Sequence, residues 1–287
     1  MKNPENYTLQ KLDIYGVRKL VKWAEDEGWN PGPRDGEVYY NTDPDGFYGY
    51  YNKEELIAGG AVVSYTGEFG FMGLFIVKPG YRSMGLGRKL WYQRRDMLIK
   101  RLNPGAAIGM DGVVAMQPFY EKGGFRIAFR DVRYQKTGEI FPIDKNISPV
   151  GYGDLEQIIA YDKQCFGVKR SQFLIPWLQL PESKSFKYTE NGTLKGFAIT
   201  RKAAEGHKIC PLFADSFPIA EKLYHACLNA FPGEPVFLDI PEVNNDAVAL
   251  MKKYDASYVF ECARMYYGNP PSVNMDNVFG ITTFELG

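Results

Sequence analysis

The sequence predicts an α/β (α+β) protein of two tandem domains, each a mixed, mostly antiparallel sheet flanked by helices. Three observations predict this. The chain has 287 residues, which suits two domains of ordinary size better than one. Three strand-like runs, Phe47 to Tyr51, Leu56 to Tyr65 and Glu68 to Val77, follow one another across short polar or glycine turns, as in an antiparallel meander. The order of helical and strand-like patterns in the second half resembles that in the first, as a duplicated unit would. The expected domains are 1–135 and 146–287, with a Gly-, Pro- and polar-rich linker inside Lys136 to Pro149.

In chain order, Tyr7 to Leu12 reads as a strand, and Asp13 caps a helix whose apolar face is Ile14, Val17, Leu20, Val21 and Ala24. Trp29 to Gly46 is loop-rich. Glu25 to Asp45 carries seven acidic residues against one Arg, so it reads either as a solvated loop or as a funnel for a cationic substrate. The meander follows, then a helix from Gly85 to about Arg101, stopped by Asn103-Pro104-Gly105. Ala106 to Met110 is a strand, Val114 to Lys122 a short helix, and Phe125 to Tyr134 a last strand.

The second unit begins with helices at Asp154 to Cys165 and Ser171 to Leu178. Hairpin strands Ser185 to Tyr188 and Leu194 to Arg201 turn at Asn191-Gly192. Then come a strand at Ile209 to Phe213, a helix from Pro218 to Ala230, a strand at Val236 to Ile240, a helix at Asn245 to Lys253 and a strand at Tyr258 to Tyr267. The tail, Pro270 to Gly287, can add a final strand.

Composition narrows the function classes. Lys+Arg and Asp+Glu are both 34, so a broad surface for nucleic acid or anionic membrane is not expected. The four cysteines, Cys165, Cys210, Cys227 and Cys262, form no Cys-x-x-Cys pair, so neither a disulfide scaffold nor a metal site is expected. The polar N-terminus lacks the apolar run of a signal peptide. A cytoplasmic protein with reduced thiols is the expectation. His207 and His225 lie in no nucleophile motif and read as structural.

The most informative stretch is Phe75 to Leu90. A strand ends at Val77, breaks at Pro79-Gly80, and enters a helix through Arg82-x-x-Gly85-x-Gly87. Glycines permit a tight turn and close approach of a ligand, and the helix start offers free N–H groups and the positive dipole end to a phosphate. A Walker A loop would need Lys where Leu86 stands, and a dinucleotide loop would need Gly or Ala where Leu90 stands. From Lys78 to Arg101 eight basic residues face one acid, Asp96, a concentrated positive patch in a neutral chain.

This loop, after a strand ending Val-x-Pro, resembles the pyrophosphate loop of the GNAT acetyltransferase superfamily. Phe119-Tyr120-Glu121-Lys122-Gly123-Gly124-Phe125 is similar to that superfamily's Leu-Tyr-Glu-Lys-x-Gly-Phe signature. The second unit has Phe213-Ala214-Asp215-Ser216-Phe217-Pro218 where such a loop would lie and Met251 where the tyrosine would lie. It therefore resembles a degenerate GNAT-like domain without a cofactor site. The arrangement, with Gly28-Trp29-Asn30-Pro31-Gly32 and the closing Phe284-Glu285-Leu286-Gly287, resembles tandem acetyltransferases of the YitH type.

The resemblance implies an acetyl-CoA-dependent N-acetyltransferase acting on a small-molecule amine. Phe75, Ile76 and Val77 would pair with the pantetheine arm, and Arg82, Ser83, Met84, Gly85, Leu86, Gly87 and Arg88 would hold the pyrophosphate. Tyr120 would be the general acid, since a phenol near pKa ~10 is a suitable donor to a thiolate whose thiol is near ~8.5. Val113 stands where the family often has an Asn that meets the pantetheine arm. Asp111, at its strand end, is the candidate base. Trp29, Asp35, Tyr39, Tyr40 and Asp43 are the candidate acceptor residues, acidic and aromatic together as a cationic amine with an apolar body would require. A protein or peptide N-acetyltransferase and a non-catalytic acyl-CoA sensor are the alternatives.

Overall fold

The computed structural model describes residues 7–287. The first half comprises β1 (Thr8–Lys11), α1 (Ile14–Asp26), α2 (Asp35–Thr42), β2 (Phe47–Asn52), β3 (Glu55–Tyr65), β4 (Phe69–Val77), α3 (Leu86–Ile99), β5 (Ala107–Val113), α4 (Gln117–Lys122) and β6 (Arg126–Thr137). The second comprises β7 (Ile147–Pro149), α5 (Leu155–Phe166), α6 (Ser171–Leu178), β8 (Lys184–Glu190), β9 (Thr193–Lys202), β10 (His207–Ala214), α7 (Phe217–Asn229), β11 (Pro235–Pro241), α8 (Asn245–Lys253), β12 (Ser257–Tyr267) and β13 (Val278–Gly280). The expected α/β class, with a mostly antiparallel sheet flanked by helices in each half, is observed.

Local causes are visible. The Asp13 carboxylate accepts from Gly16 N–H at 2.9 Å and starts α1. Val17, Leu20 and Ala24 then bury one face of that helix. In the meander, β2, β3 and β4 pair antiparallel in succession. Most of β3 is buried, so it reads as a continuous apolar run. The segment expected to be loop-rich contains α2. Its N-terminus is secured when Asp35 accepts from Gly32 N–H at 2.8 Å, and Asp35 and Glu37 sit in its favourable first turn.

The halves do not keep separate sheets. The strand order is β1-β2-β3-β4-β5-β12-β6-β11-β10-β9-β8-β7, with β13 paired to β10. The last long strand of the second half, β12, lies against β5 of the first, with Arg264 opposite Asp111. The last strand of the first half, β6, lies against β11 of the second, with Arg133 opposite Asp239. Each half has thus given its terminal strand to the other, and β12 and β6 pair with each other at the centre.

Buried Arg–Asp pairs stitch this junction. Arg264 grips Asp111 with Nε at 2.6 Å and its second terminal nitrogen at 2.9 Å. Arg133 grips Asp239 at 2.6 and 2.8 Å. Arg201 of β9 reaches Asp35 of α2 at 2.8 Å. In the first two pairs, bidentate geometry lets the carboxylate keep its charge away from water.

The tail makes a further crossing. β13 joins β10 on the side where β10 leaves its parallel partner β11, and Ile281 N–H donates to Asp239 O at 2.8 Å. Thr282 to Gly287 then runs as a strap back to the first half. Arg170 donates to Thr282 Oγ1 from Nη2 and to Gly287 O from Nη1, each at 2.7 Å, while its Nε and Nη2 hold Asp162. Tyr65 of β3 donates to Leu286 O at 2.8 Å.

Candidate active site

The site begins with a fault in β4. That strand pairs in parallel with β5 from Phe69 to Met72, against Ala107 to Met110. Against β3, Ala61 pairs with Gly73 and Gly59 with Ile76, so Leu74 and Phe75 together oppose Gly60. Leu74 adopts φ 48°, an unusual value for a branched side chain and the mark of a bulge. Beyond it β4 and β5 are no longer paired. A cavity of about 660 Å³ opens between them, reaching from the phosphate-type loop to the strap.

At one end lies the loop. Ser83 at φ 63° and Gly85 at φ 77° place it in the left-handed region, and Gly85 is the N-cap of α3. The first turn of α3 has no acidic residue, and its free N–H groups face the loop, which suits an anion. A Cβ on Gly87 would lie 3.2 Å from Val77 and 3.4 Å from Phe75, so glycine keeps the backbone close to the end of β4. Arg82 ties the loop down: its Nε donates to Val77 O at 2.8 Å and its guanidinium pairs with Glu27.

Phe75, Ile76, Val77, Arg82, Ser83, Gly85, Gly87 and Arg88 all line this cavity. Met84 lies on the loop outside the lining, and Leu86 is buried in the apolar cluster with Ile57, Tyr81 and Leu90. The expected positive patch is smaller than its sequence suggests. Arg94 is buried, Arg101 holds both oxygens of Asp43, Arg95 pairs with Asp96, and Lys78 pairs with Glu55. Arg88 and Lys89, in the first turn of α3, remain beside the loop.

Tyr120 lies on the wall of the same cavity. It follows the chain reversal from β5 into α4, and Trp91 stacks on it with ring centroids 5.8 Å apart. Burial lifts the phenol well above its ordinary range, against a smaller downward pull from the buried Arg94. The group therefore stays protonated through neutral pH. Cys262 also faces the cavity, and burial pushes its thiol well up, which makes it a poor nucleophile.

Asp111 is at the cavity, but both oxygens are on Arg264. Asp131 lies beside the pair, 3.9 Å from Arg264 Nε, and burial raises both carboxyls against the pull of that arginine. Of the five expected acceptor residues only Trp29 lines the cavity. Asp35 is paired to Arg201, Tyr39 is buried against Trp177, Tyr40 packs on Phe47, and Asp43 is held by Arg101 and Ser64 N–H. Their acidic charge is spent inside the fold and does not form a funnel.

Four lining residues come from the second half and were not singled out from the sequence as site residues: Phe260 and Cys262 of β12, and Phe284 and Glu285 of the strap. Only the closing Phe284-Glu285-Leu286-Gly287 carried a signal. The exchange of β12 into the first half brings the others there.

Among the described residues, the equivalent place in the second half is filled. β10 and β11 pair in parallel as β4 and β5 do, but β13 occupies the space where they part. A Cβ on Gly280 would lie 2.3 Å from Leu238, which shows how closely the tail fills it. Asp215, at the start of α7, is held by Tyr161 at 2.6 Å and Lys195 at 3.1 Å.

Comparison with known proteins agrees with this geometry. A model of the acetyltransferase (GNAT) family matches residues 14–125, and a model of an acetyltransferase (GNAT) domain matches residues 158–280. The chain is 26% identical over 295 residues to the holothin acyltransferase of Pseudoalteromonas sp. (strain SANK 73390), covering 100% of this chain and 97% of that protein. It is 26% identical to the uncharacterized N-acetyltransferase YitH of Bacillus subtilis (strain 168), covering 81% of this chain and 82% of that one. A crystal structure of an acetyltransferase from Pyrococcus horikoshii has the same fold. Its TM-score is 0.84 at 24% identity, over 99% of this chain and 96% of that one.

Proposed function

We propose that this chain, which belongs to the GNAT acetyltransferase superfamily and carries two of its domains in tandem, moves the acetyl group of acetyl-CoA to the amine of a small molecule by direct attack. The carrying observation is that the glycine loop before α3 and Tyr120, whose phenol burial keeps protonated, open onto one cavity. The residues fit the donor. The left-handed loop and the free N–H groups of α3 suit its pyrophosphate, and the bulge leaves the backbone of Phe75 to Val77 without a β5 partner. When bound, acetyl-CoA supplies an activated acyl group as a thioester.

The chain supplies position, exclusion of water and a proton. Phe75, Ile76 and Val77 orient the pantetheine arm through backbone hydrogen bonds, and Ser83 to Arg88 anchor its phosphates. As the new C–N bond forms and the C–S bond breaks, the Tyr120 hydroxyl gives its proton to the departing thiolate sulfur. Most of the acceleration comes from holding the amine against the thioester. Cys262 takes no part as an acyl carrier, because its thiol is held protonated.

β13 in the second half and Asp215 at its helix start support a single donor site per chain. The walls of Trp29, Phe260 and Phe284 favour a small acceptor with an apolar body, and the name of the holothin acyltransferase supports acyl transfer. A cytoplasmic location belongs to the same reading; among the described residues no helix is long and apolar enough to cross a membrane. The test is thiol release from acetyl-CoA with a panel of small amines and peptides, for the native protein and Tyr120→Phe. Turnover with small amines that the variant loses is expected. Tight CoA binding without turnover would replace this reading with a sensor, and turnover on peptides alone would replace it with a protein acetyltransferase.

A further inference from the structure

Three carboxylates line the cavity: Glu27, Asp111 and Glu285. Glu27 is engaged by Arg82 at the loop end, and Asp111 by both nitrogens of Arg264. Glu285 has no ion pair among the described residues. Its side chain is 97% buried (3% exposed), and its Oε1 has no hydrogen-bond partner. Burying an unpaired carboxylate oxygen is costly, so its persistence beside a cavity points to a partner from outside the chain.

The carboxylate is held in place. Its Oε2 accepts from the Tyr39 hydroxyl at 3.2 Å, and that hydroxyl lies 3.3 Å from Asp35 on its other side. Thr283 Oγ1 accepts from Glu285 N–H at 3.2 Å and from Leu286 N–H at 2.8 Å, which fixes the turn of the strap at Glu285. The Glu285 backbone lies so close to β4 that a Cβ on Gly73 would come 1.9 Å from its carbonyl oxygen. Glu285 therefore stands directly beside the bulge that opens the cavity.

We infer that Glu285 receives the acceptor amine and takes its proton, so that the strap from the second half completes the active site of the first. This rests on the acetyl transfer proposed above. The amine arrives as an ammonium ion, gives one proton to Oε1, and attacks the acetyl carbon with the freed lone pair. The C–S bond breaks, the sulfur takes the Tyr120 proton, and the second proton, made acidic on the acylated nitrogen, returns to the Tyr120 phenolate. Every atom comes from the amine, the thioester and these two side chains. Phe284 and Phe260 beside Glu285 give the acceptor an apolar body of aromatic or branched type.

Other charges act on the same carboxylate: Arg133 of β6, Arg201 of β9, Lys208 of β10, Asp35 of α2 and Asp111 of β5. A pH profile alone would therefore mix several groups. A comparison of acceptors separates them. Arylalkylamines are protonated at neutral pH and need a base. Hydrazides with the same apolar body are neutral and do not.

The experiment measures thiol release from acetyl-CoA with matched arylalkylamines and hydrazides for the native protein, Glu285→Gln and Glu285→Asp, with acetyl-CoA binding followed by calorimetry. Glu285→Gln should lower alkylamine kcat/KM by about 100-fold or more. Its hydrazide turnover should stay within about tenfold of native and its acetyl-CoA Kd within about twofold. Glu285→Asp, which keeps the charge on a shorter arm, should lose less, and on alkylamines only; it serves alone if the Gln variant does not fold. Equal losses on both acceptor classes, or unchanged alkylamine turnover, would overturn the role of Glu285. Native protein that binds no acetyl-CoA, or releases no thiol with any acceptor, would instead overturn the acetyltransferase reading on which it rests.

Discussion

The contact between Gly73 and the strap gives a severe test of the architecture. In Gly73→Ala the new methyl would start 1.9 Å from the carbonyl oxygen of Glu285. Reaching a contact of about 3 Å demands roughly 1 Å of movement. The obstacle is backbone, and β4 is held at Gly73 by its pairing with β3 and, up to the preceding Met72, by its pairing with β5. The strap must therefore lift. Overpacking of this kind costs about 1–3 kcal/mol, and each kcal/mol lowers Tm by roughly 2–4 °C in a chain somewhat smaller than this one. A displacement of that size at a reacting group can cost about 100-fold in rate. Thermal unfolding and steady-state kinetics on an alkylamine provide the readout. The variant should melt earlier and lose kcat/KM for the amine, with acetyl-CoA affinity kept within about threefold of native. Native-like melting and turnover would show that the strap does not seat on Gly73. Loss of acetyl-CoA binding in proportion to turnover would assign Gly73 to the donor end of the cavity.

Tyr120→Phe should lower kcat by about 100-fold or more at unchanged acetyl-CoA Kd. Because burial raises the native phenol, kcat should show no alkaline fall from this group below about pH 10, and an earlier fall that vanishes in the variant would contradict its buried setting. Arg170→Met leaves Asp162 buried without its partner and frees Gly287, so a cost of about 3–5 kcal/mol in denaturant unfolding is expected; a loss under about 1 kcal/mol would mean that the strap is anchored elsewhere. Asp131→Asn should stabilise the protein at neutral pH. The folded carboxyl titrates above its unfolded value, so the native state holds an extra proton between the two, and native stability falls as pH rises through that window. The gain, about 1.4 kcal/mol per pH unit of the shift, should shrink toward pH 4, and a gain that grows on acidification would reverse the assignment.

The local elements were legible because their causes are local. Asp13 before an apolar face, Asn191-Gly192 between alternating runs, and Pro79-Gly80 at the end of β4 each act within a few residues. The fate of Asp35 and Asp43 was not legible. Their partners, Arg201 and Arg101, are remote in the chain, and an acidic run reads the same whether it faces solvent or a buried guanidinium. α2 was hidden among prolines and glycines, and it is secured by tertiary pairing of Asp35 and Tyr39 more than by helix propensity.

The exchange of β6 and β12 was equally hidden. Both are antiparallel strands with similar alternation, and sequence pattern alone does not say which neighbour such a strand takes. That exchange decides the site, because it brings Phe260, Cys262 and Arg264 to the first half. The loop from Arg82 to Arg88 and Tyr120 were legible because each belongs to a compact motif. Glu285 was visible only as part of a closing tetrapeptide whose partners, Tyr39 and Gly73, are distant in the chain.

Titration of acetyl-CoA into the intact protein by calorimetry, beside Gly87→Val, tests the central claim most directly. A Val side chain at position 87 would press on Val77 and Phe75 and push the loop off the end of β4. One equivalent bound per chain, lost in the variant, is the predicted result. Two equivalents, none, or full binding by Gly87→Val would contradict a single donor site at this loop.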